Sequence, residues 1–106
     1  MKTYSITAGT DQDKDGNLIR GNAAQTALHF IRRESARRFG GYTETKANGG
    51  WINPEGLLVE ECSTVFTICA DDGNAVREFA SYVRETLNQH SVVFTDAENN
   101  AEFIES

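Results

Sequence analysis

Hydrophobic and polar positions alternate with period two at the start of the chain: Tyr4, Ile6 and Ala8 against Thr3, Ser5 and Thr7. That pattern predicts a half-buried strand over residues 2–9. A polar, turn-rich stretch follows at residues 10–21, TDQDKDGNLIRG. From Asn22 the period changes, and Ala24, Ala27, Leu28, Ile31, Ser35 and Phe39 fall along one helical stripe. Asn22 with Gln25 three residues on has the form of a capping box, and Gly40 suits the left-handed position that closes a helix. Residues 41–47 alternate again and predict a second strand, and 48–56, NGGWINPEG, read as a turn region. Residues 57–70 are apolar and β-branched enough for a long third strand, with a bulge expected near Glu60–Glu61. Val76, Phe79, Ala80, Val83 and Leu87 then mark a second helix started by the 71–74 cluster. A fourth strand is expected at 91–95, a turn at 96–100, and a short fifth strand or tail at 101–105.

The order is β-α-β-β-α-β, with a possible extra C-terminal strand. Two helices with one apolar stripe each must bury those stripes on one face of a sheet. The expected fold is therefore an α+β, ferredoxin-like sandwich, an antiparallel sheet with both helices on one face, formed as a single domain over residues 1–106. The third strand has apolar side chains at both parities, Leu57, Val59 and Val65 against Leu58, Phe66 and Ile68. The face without helices is then partly apolar, and a homo-oligomer, dimer or trimer, is the expected way to cover it.

Composition narrows the classes without choosing among them. The chain has 106 residues, 39% hydrophobic and 25% charged, which suits a globular core. No run approaches a membrane span, and residues 1–9 lack the apolar stretch of a signal peptide, so a cytoplasmic protein with no membrane partner is expected. The net charge of −6 is split unevenly: residues 1–52 carry +3 and residues 53–106 carry −9. An acidic chain is poorly suited to neutralising phosphates, so no nucleic-acid partner is expected. Cys62 and Cys69, seven apart in one strand, face opposite ways and are expected to be buried reduced thiols.

Candidate chemistry is sparse. Residues 11–22, DQDKDGNLIRGN, place Asp11, Asp13 and Asp15 at alternate positions before Gly16, the spacing that calcium loops use. Position twelve is Asn22 where such loops need a bidentate carboxylate, so a plain polar turn is the favoured reading and no cofactor is required. Arg33 and Arg37, flanked by Arg32 and Arg38, form either an anion clamp or a solvated helix face stabilised by the helix dipole. Gly41 and Tyr42 on one side of the second strand, and Gly49, Gly50 and Trp51 on the other, offer close backbone approach and a stacking surface; equally, Trp51 suits an interface. Glu60 and Glu61 are adjacent in a strand and so face opposite ways. His29 and His90 stand apart from any nucleophile, and no Ser-His-Asp, Walker or C-x-x-C grouping is present.

The element order, the G-G-Y-T opening the second strand and the hairpin bearing G-G-W-I-N-P-E-G resemble the PII and CutA type of small ferredoxin-like protein. That resemblance implies a trimer holding nucleotides or metals at the hairpin and between subunits, with Gly41, Gly49, Gly50 and Trp51 near the ligand. The phosphate-gripping motifs of PII proteins are not recognisable here. The chain also resembles small uncharacterised proteins of bacteria and phages. The leading expectation is a non-enzymatic binding or regulatory module for a small, nucleotide-like anion or a protein. The alternatives are an enzyme of the dimeric α+β-barrel type, using Tyr42, Glu60 or His29 in a cavity between sheet and helices, and a calcium-stabilised structural protein.

Overall fold

A computed structural model describes residues 1–19 and 21–105; Arg20 of the first loop and Ser106 lie outside the described residues. The elements are β1 (Lys2–Gly9), α1 (Gly21–Phe39), β2 (Thr43–Ile52), β3 (Leu58–Ala70), α2 (Gly73–Thr86), β4 (Val92–Thr95) and β5 (Ala101–Ile104). They form the expected ferredoxin-like α+β architecture, with a five-stranded antiparallel sheet in the order β2-β3-β1-β4-β5. The C-terminal segment is a fifth strand, pairing Val92 with Ile104 and Thr95 with Ala101.

Period-two alternation decides which face each helix covers. Tyr4, Ile6 and Ala8, Phe66, Ile68 and Ala70, and Val92 and Phe94 point to the helix side and are buried. Against them pack Leu28 and Ile31 of α1, and Val76, Phe79, Ala80 and Val83 of α2, the stripes expected from their spacing. Asp72 caps α2, its Oδ1 accepting from the N–H groups of Asn74 (3.0 Å) and Ala75 (3.4 Å). Gly40 closes α1 at φ +85°, donating to the Ala36 carbonyl at 2.9 Å.

The structure corrects several local expectations. α1 begins at Gly21, so Asn22 lies inside the first turn, its carbonyl accepting from the Thr26 hydroxyl, instead of capping the helix. No bulge interrupts β3: its register with β2 and β1 is continuous from Leu58 to Ala70. Asn48–Ile52, expected as a loop, is strand, because each of these residues pairs with β3 from Cys62 to Leu58. The turn is confined to Asn53–Leu57. Cys62 and Cys69 are free, as expected, but exposed, because Cys69 faces the side without helices and Cys62 lies on the hairpin beyond the core.

That turn is one of three built alike. In Asp13–Asn17, Asn53–Leu57 and Asp96–Asn100 the first side chain's Oδ1 accepts from the N–H groups of the third and fifth residues. The first residue's N–H donates to the fifth carbonyl at 2.9 Å in each. The fourth residue has positive φ, Gly16 and Gly56 at +82° and Asn99 at +67°. This is a type I turn with a glycine-type bulge, held by an Asx side chain. In Asp-Lys-Asp-Gly-Asn, then, the Asp13 carboxylate serves a polar turn, the favoured reading of this loop.

Candidate functional site

The β2–β3 hairpin runs beyond the helices, and there the two glutamates separate. Register sets Gly50 opposite Glu60 on the helix side and Gly49 opposite Glu61 on the open side. A glycine across from each carboxylate leaves room beside it. A Cβ at Gly50 would meet Leu58 Cδ1 at 3.2 Å, so that position is tight. Glu61 leans across the sheet over the end of β1, where a Cβ built on Gly9 would lie 3.6 Å from its Oε1.

On the open face this carboxylate stands in a depression of about 650 Å³ whose lining includes Gly49, Trp51, Glu61, His90, Val93 and Phe103. Trp51 and Phe103 are 50% and 68% exposed, so their rings are available to a ligand or a partner. The volume suits a nucleoside-sized molecule, and the lining combines aromatic surface with one carboxylate and one imidazole. On the helix side, a second groove of about 500 Å³ lies among Asp11, Asn48, Glu60 and Cys62. There Asp11 Oδ2 accepts the Cys62 N–H at 2.6 Å, and its negative charge pushes the Cys62 thiol up, so Cys62 is not an activated nucleophile.

The other sites expected from sequence are distributed differently. Gly41 and Tyr42 line a shallow hollow with Phe39 and Cys69 at the opposite end of β2. Gly49 lies eight residue steps beyond Gly41, about 26 Å at strand spacing, so one chain does not bring the two glycine pairs together. Arg33 and Arg37 lie on α1, across the sheet from the open-face depression. Arg37 is paired with Glu34 (2.9 and 2.8 Å), as is Arg38 (2.9 Å), and Arg32 grips Glu44 of β2 with two bonds (2.7 and 3.0 Å). Three of the four guanidiniums therefore answer carboxylates of the same chain, and Arg33 is exposed. Asp11 holds the Cys62 N–H, while Asp13 and Asp15 each accept from the Asn88 amide at 3.0 Å. Among the described residues no group of three or more metal-ligating side chains is gathered. His29 is on the exposed side of α1 and Glu60 on the hairpin, and the space between sheet and helices is filled by core side chains. Sequence reasoning did not single out Glu61 with Phe103 and His90 as one site.

Glu34 yields a pH test. Hydrogen bonds from Arg37 and then Arg38 lower its pKa to about 2 from the ordinary 4.5. A depressed carboxyl stabilises the fold above its unfolded pKa and loses that contribution as pH falls from about 4.5 towards 2. Glu34→Gln is expected to lower the urea midpoint at pH 6 and to match the unsubstituted protein near pH 2. A gap that persists at pH 2 would assign the effect to packing.

The fold and site define a ferredoxin-like α+β protein with an aromatic, acid-bearing depression on its uncovered sheet face. No family model and no curated protein matches the chain by sequence, so the resemblance to PII and CutA proteins has no such support. Among solved structures, the chain is similar to a phage SAM lyase in complex with S-methyl-5′-thioadenosine, with a TM-score of 0.68 and 16% identity over 98% of this chain and 88% of that one. The apo state of a phage SAM lyase gives a TM-score of 0.65 and 17% identity over the same shares. Likeness at this identity shows the fold. It also corrects the leading expectation: both of these solved chains are lyases, which favours the enzyme alternative over a non-enzymatic binding module. Among the described residues, no helix is long and apolar enough to cross a membrane.

Proposed function

We propose that this protein is a lyase acting on S-adenosylmethionine or a close sulfonium relative in the open-face depression. One observation carries the reading: the fold match to phage SAM lyase runs along 98% of the chain, and one of those structures holds S-methyl-5′-thioadenosine. The depression supports it chemically. The Trp51 and Phe103 rings suit an adenine face, and the Glu61 carboxylate suits a substrate that carries a positive sulfur. In the reaction the bond from sulfur to the amino-acid side chain breaks and sulfur keeps the electron pair, leaving as neutral S-methyl-5′-thioadenosine. The four-carbon remainder departs as its lactone when its own carboxylate displaces sulfur, or as the unsaturated amino acid when a base takes the neighbouring proton.

The test is incubation with S-adenosylmethionine followed by chromatography and mass analysis. Time-dependent release of S-methyl-5′-thioadenosine together with either four-carbon product is the expected result. Release no faster than in buffer overturns the reading. The reading retains a homo-oligomer: Val65, Val93 and Phe103 stand in one cross-strand row without helix cover, which a second copy would shield.

A further inference from the structure

The exit of α2 carries two carboxamides that reach across to the loop bordering the depression. Asn88, at φ +52° just past the helix, donates through Nδ2 to Asp13 and Asp15, and its carbonyl accepts the Lys14 N–H at 2.8 Å. Gln89 follows, and its Nε2 donates to the carbonyls of Gly9 (3.0 Å) and Gln12 (2.7 Å). Both N–H bonds of one amide are thereby used on two backbone acceptors. From the other side, Thr10 donates to the Cys62 carbonyl at 3.0 Å and Asp11 takes the Cys62 N–H. Residues 9–15 are thus held between the helix exit and the strand that bears Glu61. Asp13–Asn17 already closes its own turn, so these bonds do more than form the loop: they set where it sits. The residue they set most directly is Gly9, beneath the Glu61 carboxylate.

We propose that Gln89, itself at the edge of the open-face depression with both amide hydrogens committed to backbone, is a positioning residue there, holding the Gly9 and Gln12 carbonyls so that the floor under Glu61 stays in place. The inference rests on the reading of that depression as the S-adenosylmethionine site. Chemistry at residue 89 makes the role separable from simple packing. A glutamate there presents a carboxylate to two carbonyl oxygens and donates nothing. Once protonated it regains one donor, and the neutral form is favoured by its surroundings, so its pKa rises above the ordinary value of about 4.3. A methionine there fills similar space and never donates.

The experiment compares Gln89→Glu and Gln89→Met with the unsubstituted protein from pH 8 to pH 5, measuring KM and kcat for S-adenosylmethionine. The titratable or charged groups near residue 89 are Asp11, Asp13, Lys14 and Asp15 of the loop, Arg84 and Glu85 of α2, His90, and Glu61 of β3. All are common to the two variants, so the difference between variants isolates position 89. At pH 8 both variants are expected to raise KM at least tenfold with a smaller change in kcat. At pH 5 Gln89→Glu is expected to recover at least threefold relative to Gln89→Met. Parallel profiles for the two variants, or a KM unchanged in both, overturn the proposal. If the unsubstituted protein does not cleave S-adenosylmethionine, the functional reading has failed by itself. The clasp is then judged by hydrogen exchange at the amides of Thr10, Lys14 and Cys62, whose bonds tie the loop to the strand and to the helix exit. Protection lost at pH 8 and regained at pH 5 only in Gln89→Glu upholds it, and unaltered protection removes it.

Discussion

Glu61→Gln is expected to weaken S-adenosylmethionine about 10- to 100-fold while leaving the affinity for S-methyl-5′-thioadenosine within about twofold. The reasoning is electrostatic. The substrate carries a positive sulfur that the nucleoside product lacks, and the carboxylate is the acidic group lining the open-face depression. A charge-assisted contact contributes about 1.5–3 kcal/mol, which is the expected loss on neutralising one partner without changing its shape. The same argument fixes where the loss should appear. Positive charge disappears from sulfur as the bond breaks, so a carboxylate beside it favours the ground state at least as much as the transition state. The variant should therefore raise KM more than it lowers kcat. Titration calorimetry with both molecules decides the matter. Equal weakening of both would make Glu61 a hydrogen-bond partner of the nucleoside, and no weakening of either would move the site to the Asp11–Glu60 groove.

Phe79→Ala is expected to cost about 3–5 kcal/mol, the largest effect on stability of any substitution considered, since it combines lost transfer energy with an unfilled cavity. Phe79 is fully buried, edge-on to Phe39 at 5.5 Å and stacked on Tyr82 at 5.8 Å. The Arg38 guanidinium lies 5.5 Å from its ring and 5.1 Å from that of Tyr82. One ring thus joins the end of α1, the middle of α2 and a cation that is itself held by Glu34. A domain of this size is stable by about 5–15 kcal/mol, so the variant should lose at least about a fifth of its stability and, at the other extreme, all of it. Each kcal/mol lowers the midpoint by about 4–8 °C. A thermal or urea midpoint within the equivalent of 1 kcal/mol of the unsubstituted protein would show that the cluster collapses around the gap.

The helices and inner strands were legible because one physical signal dominates them. Tyr4, Ile6 and Ala8, and the α2 stripe from Val76 to Leu87, are buried on a single side, and burial writes a clean period into the sequence. The distal hairpin has no such side. Asn48–Ile52 carries two glycines and an asparagine, which read as punctuation, yet the strand persists there because β3 supplies a partner for every residue. The decisive cue was the turn. Asn53-Pro54-Glu55-Gly56 is a complete Asx-held turn, and counting outward from it sets Gly50 opposite Glu60 and Gly49 opposite Glu61. That step would have placed the glutamates, already expected on opposite faces, beside empty glycine positions. The meeting of Glu61 with Phe103 and His90 was beyond any such count. It depends on β4 and β5 adding to the far edge of β1, a long-range arrangement that local spacing does not encode. The arginines of α1 were legible only in part: Glu34 stands at helical spacing from Arg37 and Arg38, a local pairing, whereas the Arg32–Glu44 bond joins two elements and Arg33 stays exposed.

The projection of the hairpin past the helices separates two selective demands within one polypeptide. From Leu58 to Ser63 no residue of β3 is fully buried, whereas alternate residues from Thr64 to Ala70 are. The arm's length is therefore free to drift in steps of one residue on each strand pair, provided the turn is carried outward intact and two such steps keep each side chain on its face. Lineages sharing this core can lengthen or retract the arm without refolding the rest. What they bind can change by the reach of a ribbon while the core beneath it stays as it is.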